Sequence, residues 1–519
     1  MDFGALFQGL LTVLTPENLL FALIGCVLGM LVGVLPGFGP AAAVSLLIPV
    51  TFGLSPTTAI IMLAAILYGA AFGGTITAVL LRIPGEASSV ATTLDGYELA
   101  KRGRGGPALV IAAVGSFIGG LIGVLGFVVV APFARIALEF GAPELFLVSF
   151  LGLSLITSFA GSNPAKALLS AGIGLAIATV GLDPGVGIVR FGFDMPQLFD
   201  GIGLVAIVMG IFGLSEILAQ AQRGPHGVPK PLSIGRLFPT REDYRRSALP
   251  FLRGSVIGFF MGLLPGSPGA ATSLASYAAE KRLSKNHRAQ FGRGAIEGVA
   301  GPESANNALA VSSMIPLFTL GIPTSATVAI MAGAFTINGL IPGPLLFRDN
   351  PEVAWAIIAS FLVGNVILLI LNVPLVRVWI AVLRLPFAYL MAAILAFMFL
   401  GTFSIAGNTF EIYVMVGAGV IGYVFHLLRV PLTPLVLAII LGPMLEENFQ
   451  RSLALSRGDW GIFVSSPVAI GLLVVCALAV LLGVLRPALA ALMRARARSR
   501  SISRPVATDT RSTKKESTK

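Results

Sequence analysis

Apolar runs follow one another along almost the whole chain, with only short polar stretches between them. The runs at 57–81, 107–133, 201–220, 294–320 and 353–380 reach the length of about 20 residues that a spanning helix needs. Shorter ones lie at 143–160, 164–181, 325–340, 386–403, 412–428, 432–445 and 467–485. Two further runs are broken in the middle. Gly33-Val34-Leu35-Pro36-Gly37-Phe38-Gly39-Pro40 interrupts the first, and Gly262-Leu263-Leu264-Pro265-Gly266-Ser267-Pro268-Gly269 interrupts 254–279. Proline removes a backbone donor and clashes with the preceding turn. In hydrocarbon an unpaired backbone group is costly, so such breaks are tolerated where protein buries them or water lines them.

The breaks recur in order. Pro265 follows Pro36 by 229 residues. Arg82-Ile83-Pro84-Gly85-Glu86-Ala87-Ser88 is echoed by Gly321-Ile322-Pro323-Thr324-Ser325-Ala326-Thr327, with the prolines 239 residues apart. A polar insert at 280–294 absorbs the difference. The pattern predicts an all-α polytopic membrane protein of about 10–12 transmembrane segments, with discontinuous or re-entrant helices. It divides the chain into an interfacial helix at 1–18, a membrane repeat at 19–221, a basic linker at 222–253, a second repeat with C-terminal helices at 254–486, and a basic tail at 487–519. Phe3, Leu6, Phe7, Leu10 and Leu11 share one face of the first helix. The alternative is that these Gly/Pro pairs only end helices.

Composition supports the membrane reading. Charged residues make up 11% of the chain, against about 25% in a soluble domain. Mean hydropathy is +0.91. No basic region precedes the first apolar stretch, so no cleavable signal peptide is expected. Cys26 and Cys476 each lie in an apolar run, with no metal spacing, and the three histidines suggest no site. Lys101, Arg102 and Arg104, the linker, the loop at 281–293, the two loops marked by Arg377, Arg384 and Arg429, and the tail are basic; the remaining loops carry mostly acids. Basic loops stay cytoplasmic. The tail at 494–519 holds nine basic and two acidic residues and is expected in the cytoplasm, touching anionic lipid. Nucleic-acid binding is a poor alternative, because no fold or aromatic patterning accompanies the charge. Counting spans between basic loops puts the first broken hairpin in from outside and the second in from inside. The two repeats are then inverted, which is the arrangement of alternating access.

Candidate chemistry gathers at the breaks. Exposed N–H groups at half-helix starts attract anions, and freed carbonyls suit a cation. Pro36, Pro265 and Pro323 set the breaks, and Gly37, Gly39, Gly266 and Gly269 allow close backbone approach. Ser88, Ser89, Ser267, Thr324, Ser325 and Thr327 add hydroxyls, each of which could instead bond its own helix carbonyl. Glu303, Asn306 and Asn307 precede a long apolar run. An intramembrane carboxylate is a functional hypothesis by default; the alternative puts Pro302 and Glu303 at the first helical positions, complementing the dipole. Arg82 either pairs with a substrate carboxylate or snorkels to the surface.

Leu35-Pro36-Gly37-Phe38-Gly39-Pro40, Tyr68 with Gly73-Gly74-Thr75, Asp95-Gly96-Tyr97, Gly301-Pro302-Glu303-Ser304-Ala305-Asn306-Asn307 and Pro342-Gly343-Pro344 closely resemble the large membrane subunit of tripartite tricarboxylate transporters, the TctA family. The resemblance covers roughly 15–485, and the Pro-Glu-Ser-Ala-Asn-Asn string is its most specific part. Two departures stand out: Thr75 where the family commonly has Ser, and Thr324 where it has Gly. The resemblance implies a multi-pass bacterial inner-membrane importer of carboxylates, coupled to sodium or protons and using no cofactor. It also implies two partners: a small four-helix membrane subunit and a periplasmic solute-binding protein. The alternatives are an intramembrane enzyme centred on Glu303, which lacks an obvious second acid, base or metal ligand, and a passive organic-anion channel. No Walker, His-Glu-x-x-His or Gly-x-Ser-x-Gly motif occurs.

Overall fold

The computed structural model describes residues 3–35, 38–134, 138–159, 163–183, 187–222, 231–382 and 387–481. In the first half, α1 (Phe3–Val13) and α2 (Pro16–Gly33) lead to the first break, and α3 (Pro40–Leu47) returns from it. Then comes α4 (Pro56–Leu81), capped by Ser55 on the Thr58 N–H. A 3₁₀ turn (Ala87–Val90) and α5 (Thr92–Lys101) follow the second break. Next are α6 (Gly105–Val130), α7 (Ala142–Phe159) and α8 (Pro164–Ala178). Strands β1 (Gly181–Leu182) and β2 (Val189–Arg190) pair antiparallel ahead of α9 (Leu204–Gln222). The second half begins with α10 (Arg241–Gly262), α11 (Gly269–Leu283), α12 (Glu297–Ser312), α13 (Ile315–Leu320) and α14 (Ala326–Ile337). It continues with α15 (Pro344–Asp349), α16 (Pro351–Asn372), α17 (Val376–Val382), α18 (Phe387–Ala406), α19 (Phe410–Leu427), α20 (Thr433–Leu455) and α21 (Pro467–Leu481).

Among the described residues six helices are long and apolar enough to cross a membrane: α2, α4, α6, α9, α16 and α19. The protein is an all-α polytopic membrane protein. Its outer helices expose large apolar side chains such as Phe3, Phe7, Val420, Val424, Leu473 and Leu481, which suit hydrocarbon rather than water.

Two glycine ridges set the helix directions. A methyl group on Gly25, Gly29 or Gly33 of α2 would lie 2.5, 2.3 and 2.3 Å from the carbonyl oxygens of Met62, Ile66 and Ala70 on α4. On α10, Gly254, Gly258 and Gly262 meet the carbonyl oxygens of Gly301, Ala305 and Leu309 on α12 in the same way, at 2.2, 2.0 and 2.7 Å. Small residues every fourth position let the backbones approach this closely. In both pairs the contacts advance together, so the helices run parallel. Each α10 glycine lies 229 residues after its α2 counterpart, and each α12 partner 239 after its α4 counterpart. By contrast, α4 and α12 run antiparallel: Thr75 bonds Glu303, while Val79 and Val299 both face Gly96. The ends of α2 and α10 that lead into the two breaks therefore point in opposite directions.

The basic clusters at 101–104, 231–246 and 281–293 share a face. The Gly106 N–H donates to the Ile234 carbonyl at 2.6 Å and the Leu232 N–H to that of Leu80 at 3.2 Å. Arg104 pairs with Asp243 at 2.6 Å, and Arg246 reaches Glu297 at 2.7 Å. Two expected runs divide, 294–320 between α12 and α13 and 353–380 between α16 and α17. The apolar run expected at 432–445 continues as helix through the acidic residues that follow it, as far as Leu455, and Arg190 makes a bidentate ion pair with Glu446 there at 2.6 and 2.9 Å.

Candidate functional site

Glu303 is 1% exposed. Its helix begins six residues earlier, at Glu297, with Pro302 inside it. The alternative that Pro302 and Glu303 open a helix is thereby overturned, and the carboxylate sits in the core. Thr75 of α4 donates to Oε2 at 2.7 Å, Thr92 of α5 donates to Oε1, and the Ser116 hydroxyl of α6 donates as well. Three helices of the first half thus supply hydroxyls to one acid of the second.

The reverse also happens. Glu86, half-buried in the second break, accepts from Asn306 Nδ2 of α12 at 2.8 Å and from Ser88. It also caps the 3₁₀ turn that starts at Ala87, with Ser89 completing the capping box. Its Cγ packs on Gly74, 3.2 Å from where a methyl group would sit. Asn307 donates to the Glu303 backbone carbonyl at 3.3 Å, and its Oδ1 is buried without a hydrogen-bond partner.

Three breaks connect directly. The Gly266 N–H donates to the Thr324 carbonyl at 2.8 Å, which joins the third and fourth. Gly266 has φ +77°, the left-handed region that glycine enters freely. Gly269, at the start of α11, abuts Ser88 of the second break, their Cβ positions 2.9 Å apart. Gly85 packs on Gly74 and on the Gly33 carbonyl at the end of α2, which brings the first break alongside.

The other sequence-predicted residues divide. Pro36 and Gly37 lie outside the described residues. Gly39 is the extended N-cap of α3 with open space around it. Pro265 and Pro323 are buried, and Ser267 and Thr327 half-buried. Ser89 is buried and donates to the Glu86 carbonyl at 2.9 Å. Thr324 donates to the Ser313 carbonyl at 2.9 Å, and Ser325 caps α14 through the Val328 N–H. Arg82 stands apart: it is exposed at the end of α4, with φ +60°, and its guanidinium lies 5.7 Å from the Tyr97 ring centroid. A cavity of about 670 Å³ between α1, α15 and α16, lined by Gln8, Arg348, Glu352 and Trp355, includes none of the sequence-predicted residues.

Sequence reasoning missed Glu86, Thr92 and Ser116, and noted Thr75 only as a departure from the family pattern. For Glu86 a signal existed, an acid inside a Pro-Gly break. Thr92 and Ser116 carry none, since a hydroxyl on a membrane helix ordinarily bonds its own backbone.

The carboxylate clusters and glycine ridges lie within a stretch that matches a known family. The model of the tripartite tricarboxylate transporter TctA family matches residues 19–437. The chain belongs to that family. A protein of Agrobacterium vitis described as "Uncharacterized 52.8 kDa protein in TAR-I ttuC' 3'region" is 44% identical over 468 residues, covering 90% of this chain and 93% of that relative. A second from the same organism, "Uncharacterized protein in TAR-II ttuC' 3'region", is 46% identical over 232 residues, 44% of this chain and 96% of the relative. No solved structure matches. A TctA-family chain is a membrane-embedded subunit of a tripartite tricarboxylate transporter, and that assignment implies a transporter rather than an enzyme centred on Glu303. Among the described residues no three His, Cys, Asp or Glu side chains gather as a metal cluster.

Proposed function

We propose that this chain is the transmembrane translocation subunit of an ion-coupled secondary importer of di- or tricarboxylates. Its place is the bacterial inner membrane, with the basic face and C-terminal tail in the cytoplasm. Its partners are a small four-helix membrane subunit and a periplasmic solute-binding protein. The observation that carries the reading is the contact of breaks from opposite halves: Gly269 against Ser88, and Asn306 on Glu86. The substrate anion meets half-helix N–H groups and hydroxyls there, and the coupling ion, sodium or a proton, meets carboxylates and freed carbonyls.

The two halves are inverted repeats in this reading. Equal offsets of the two glycine ridges support it, as does the antiparallel course of α4 and α12. Exchange of the two hairpins between open and closed packing would expose the site to each side in turn. The outer loops are mostly acidic and do not concentrate carboxylates unaided, which favours delivery by a receptor.

The test is uptake of labelled citrate and smaller dicarboxylates into proteoliposomes holding the chain, its small subunit and the binding protein. An inward sodium or proton gradient should drive accumulation above the outside concentration. Simple equilibration would indicate a passive channel, and full uptake by this chain alone would remove the partner requirement.

A further inference from the structure

The cavity of about 670 Å³ between α1, α15 and α16 belongs to none of the four breaks. Its height in the membrane follows from α6. Gly106, at the start of that helix, donates to the Ile234 carbonyl on the basic face. The 26 residues of α6 extend about 39 Å, enough to cross the hydrocarbon, so the far end reaches the opposite face. Pro132, just beyond that end, lines the cavity, and so does the start of the spanning helix α16. The cavity therefore lies where helices leave the hydrocarbon and headgroups begin. Trp355 in its wall, with its ring 6.0 Å from that of Phe347, is a residue type favoured at that height. Beside it α1 exposes Phe3, Phe7 and Leu11, an apolar face suited to acyl chains.

The wall is apolar and the rim is charged. Pro132, Phe347 and Trp355 form the wall, while Gln8, Arg348 and Glu352 bring polar groups. Arg348 gives Nε and Nη2 to the two carboxylate oxygens of Asp349, at 2.7 and 3.2 Å, which leaves both N–H groups of Nη1 for a ligand. Among the described residues Glu352 enters no ion pair. Two acids and one base leave the rim with a surplus negative charge. An anionic headgroup is disfavoured there. A zwitterionic one sets its phosphate on Arg348 and its cation on Glu352, and an ammonium with N–H donors serves Glu352 better than a quaternary amine without them. A partner's helix fits less well, because two turns about 10 Å across and 11 Å long fill roughly 850 Å³.

We infer that this cavity holds a phospholipid with a primary ammonium headgroup. Its phosphate lies at Arg348, its ammonium at Glu352, and its glycerol end against Phe347 and Trp355. The lipid ties α1 to α15 and α16. This site is independent of the transport reading above.

The experiment uses the purified full-length chain, stripped of lipid in detergent. It is then offered phosphatidylethanolamine, phosphatidylcholine or phosphatidylglycerol with the same acyl chains. Native mass spectrometry counts the lipid retained, and thermal unfolding follows stability. One phosphatidylethanolamine should stay bound at about tenfold lower lipid concentration than phosphatidylglycerol, the discrimination that one charge-assisted bond supplies. It should also raise the midpoint, since a ligand bound only by the folded state stabilises it. Glu352→Gln and Arg348→Gln should each remove most of the preference; both side chains are exposed, so both variants fold. Glu242→Gln, exposed on the basic face, should keep it. Equal retention of the three lipids would mean ordinary bilayer contact and overturn the inference. Tighter phosphatidylglycerol, or an undiminished preference in both Gln variants, overturns it too. So does loss of the bound lipid when the small subunit is added, which would make the cavity a seat for protein.

Discussion

The two broken hairpins are alike in backbone and unlike in chemistry. In both, three glycines at every fourth position let the entering helix lie on the backbone of the helix that follows the hairpin. The first hairpin is otherwise apolar from Leu19 to Leu47, apart from Ser45, which bonds the Ala42 carbonyl. The second is held by an ion pair between its arms: Arg253 of α10 reaches both oxygens of Glu280 on α11, at 2.8 and 2.5 Å. The helices behind the hairpins differ in the complementary way. α4 offers Gly74 and Thr75, with no charge, and α12 offers Glu303, Asn306 and Asn307. Packing can thus be repeated while polar groups are placed once, and a buried polar cluster forms where one half's hydroxyls meet the other half's acid.

The largest effect expected is on Glu303. Replacing it with Gln keeps the shape and removes the charge, and uptake should fall about 10- to 150-fold, since a charge-assisted buried bond is worth about 1.5–3 kcal/mol. Initial rates in proteoliposomes measure this; a loss below threefold would mean that the acid only fills space.

Next come the ridges. Gly29→Val and Gly258→Val each drive a side chain into a carbonyl at about 2 Å, and each should cost about 1–3 kcal/mol. Thermal melts in detergent should show similar losses. A neutral result in one hairpin alone would break the structural likeness of the two.

The ion pair sharpens the contrast. Arg253→Gln leaves Glu280, 1% exposed, without its partner, and should destabilise by about 1–3 kcal/mol, part of the usual cost because Arg253 is itself partly exposed. Limited proteolysis within 281–293 should become faster. The first hairpin has no pair to lose, so Leu20→Gln on its exposed surface should leave that cleavage unchanged.

The smallest effect is expected at Asn306. Asn306→Leu frees Glu86 and should raise the apparent substrate or ion constant about tenfold, close to 1.4 kcal/mol for one buried bond. Uptake rate against ion concentration gives the value.

Much of this was legible in the chain. The spans appear as uninterrupted apolar runs, and the 229- and 239-residue offsets of the prolines reappear in the glycine ridges. The position of Glu303 within its helix was not legible: Gly301 and Pro302 look like a helix start, and only the packing of Gly254 on the Gly301 carbonyl shows that the helix is already under way. The partners of Glu303 were hidden for a different reason. Thr75, Thr92 and Ser116 lie 228, 211 and 187 residues before it, and no local periodicity links positions so far apart. The helix beyond Glu446 was not legible because the apolar run stops at Leu445 and the ion-pair partner of Glu446, Arg190, lies 256 residues earlier.

The central claim is that the site lies across the two halves, where the second and third breaks touch. Ser88→Cys with Gly269→Cys, in a Cys26→Ala/Cys476→Ala background, tests it directly. Their Cβ positions are close enough for a disulfide to form after a small shift. The expected result is a cross-link on mild oxidation, seen as one linked peptide by mass spectrometry, with uptake stopped and then restored by reduction. Failure to cross-link, or a cross-linked protein that transports at its full rate, would contradict the account.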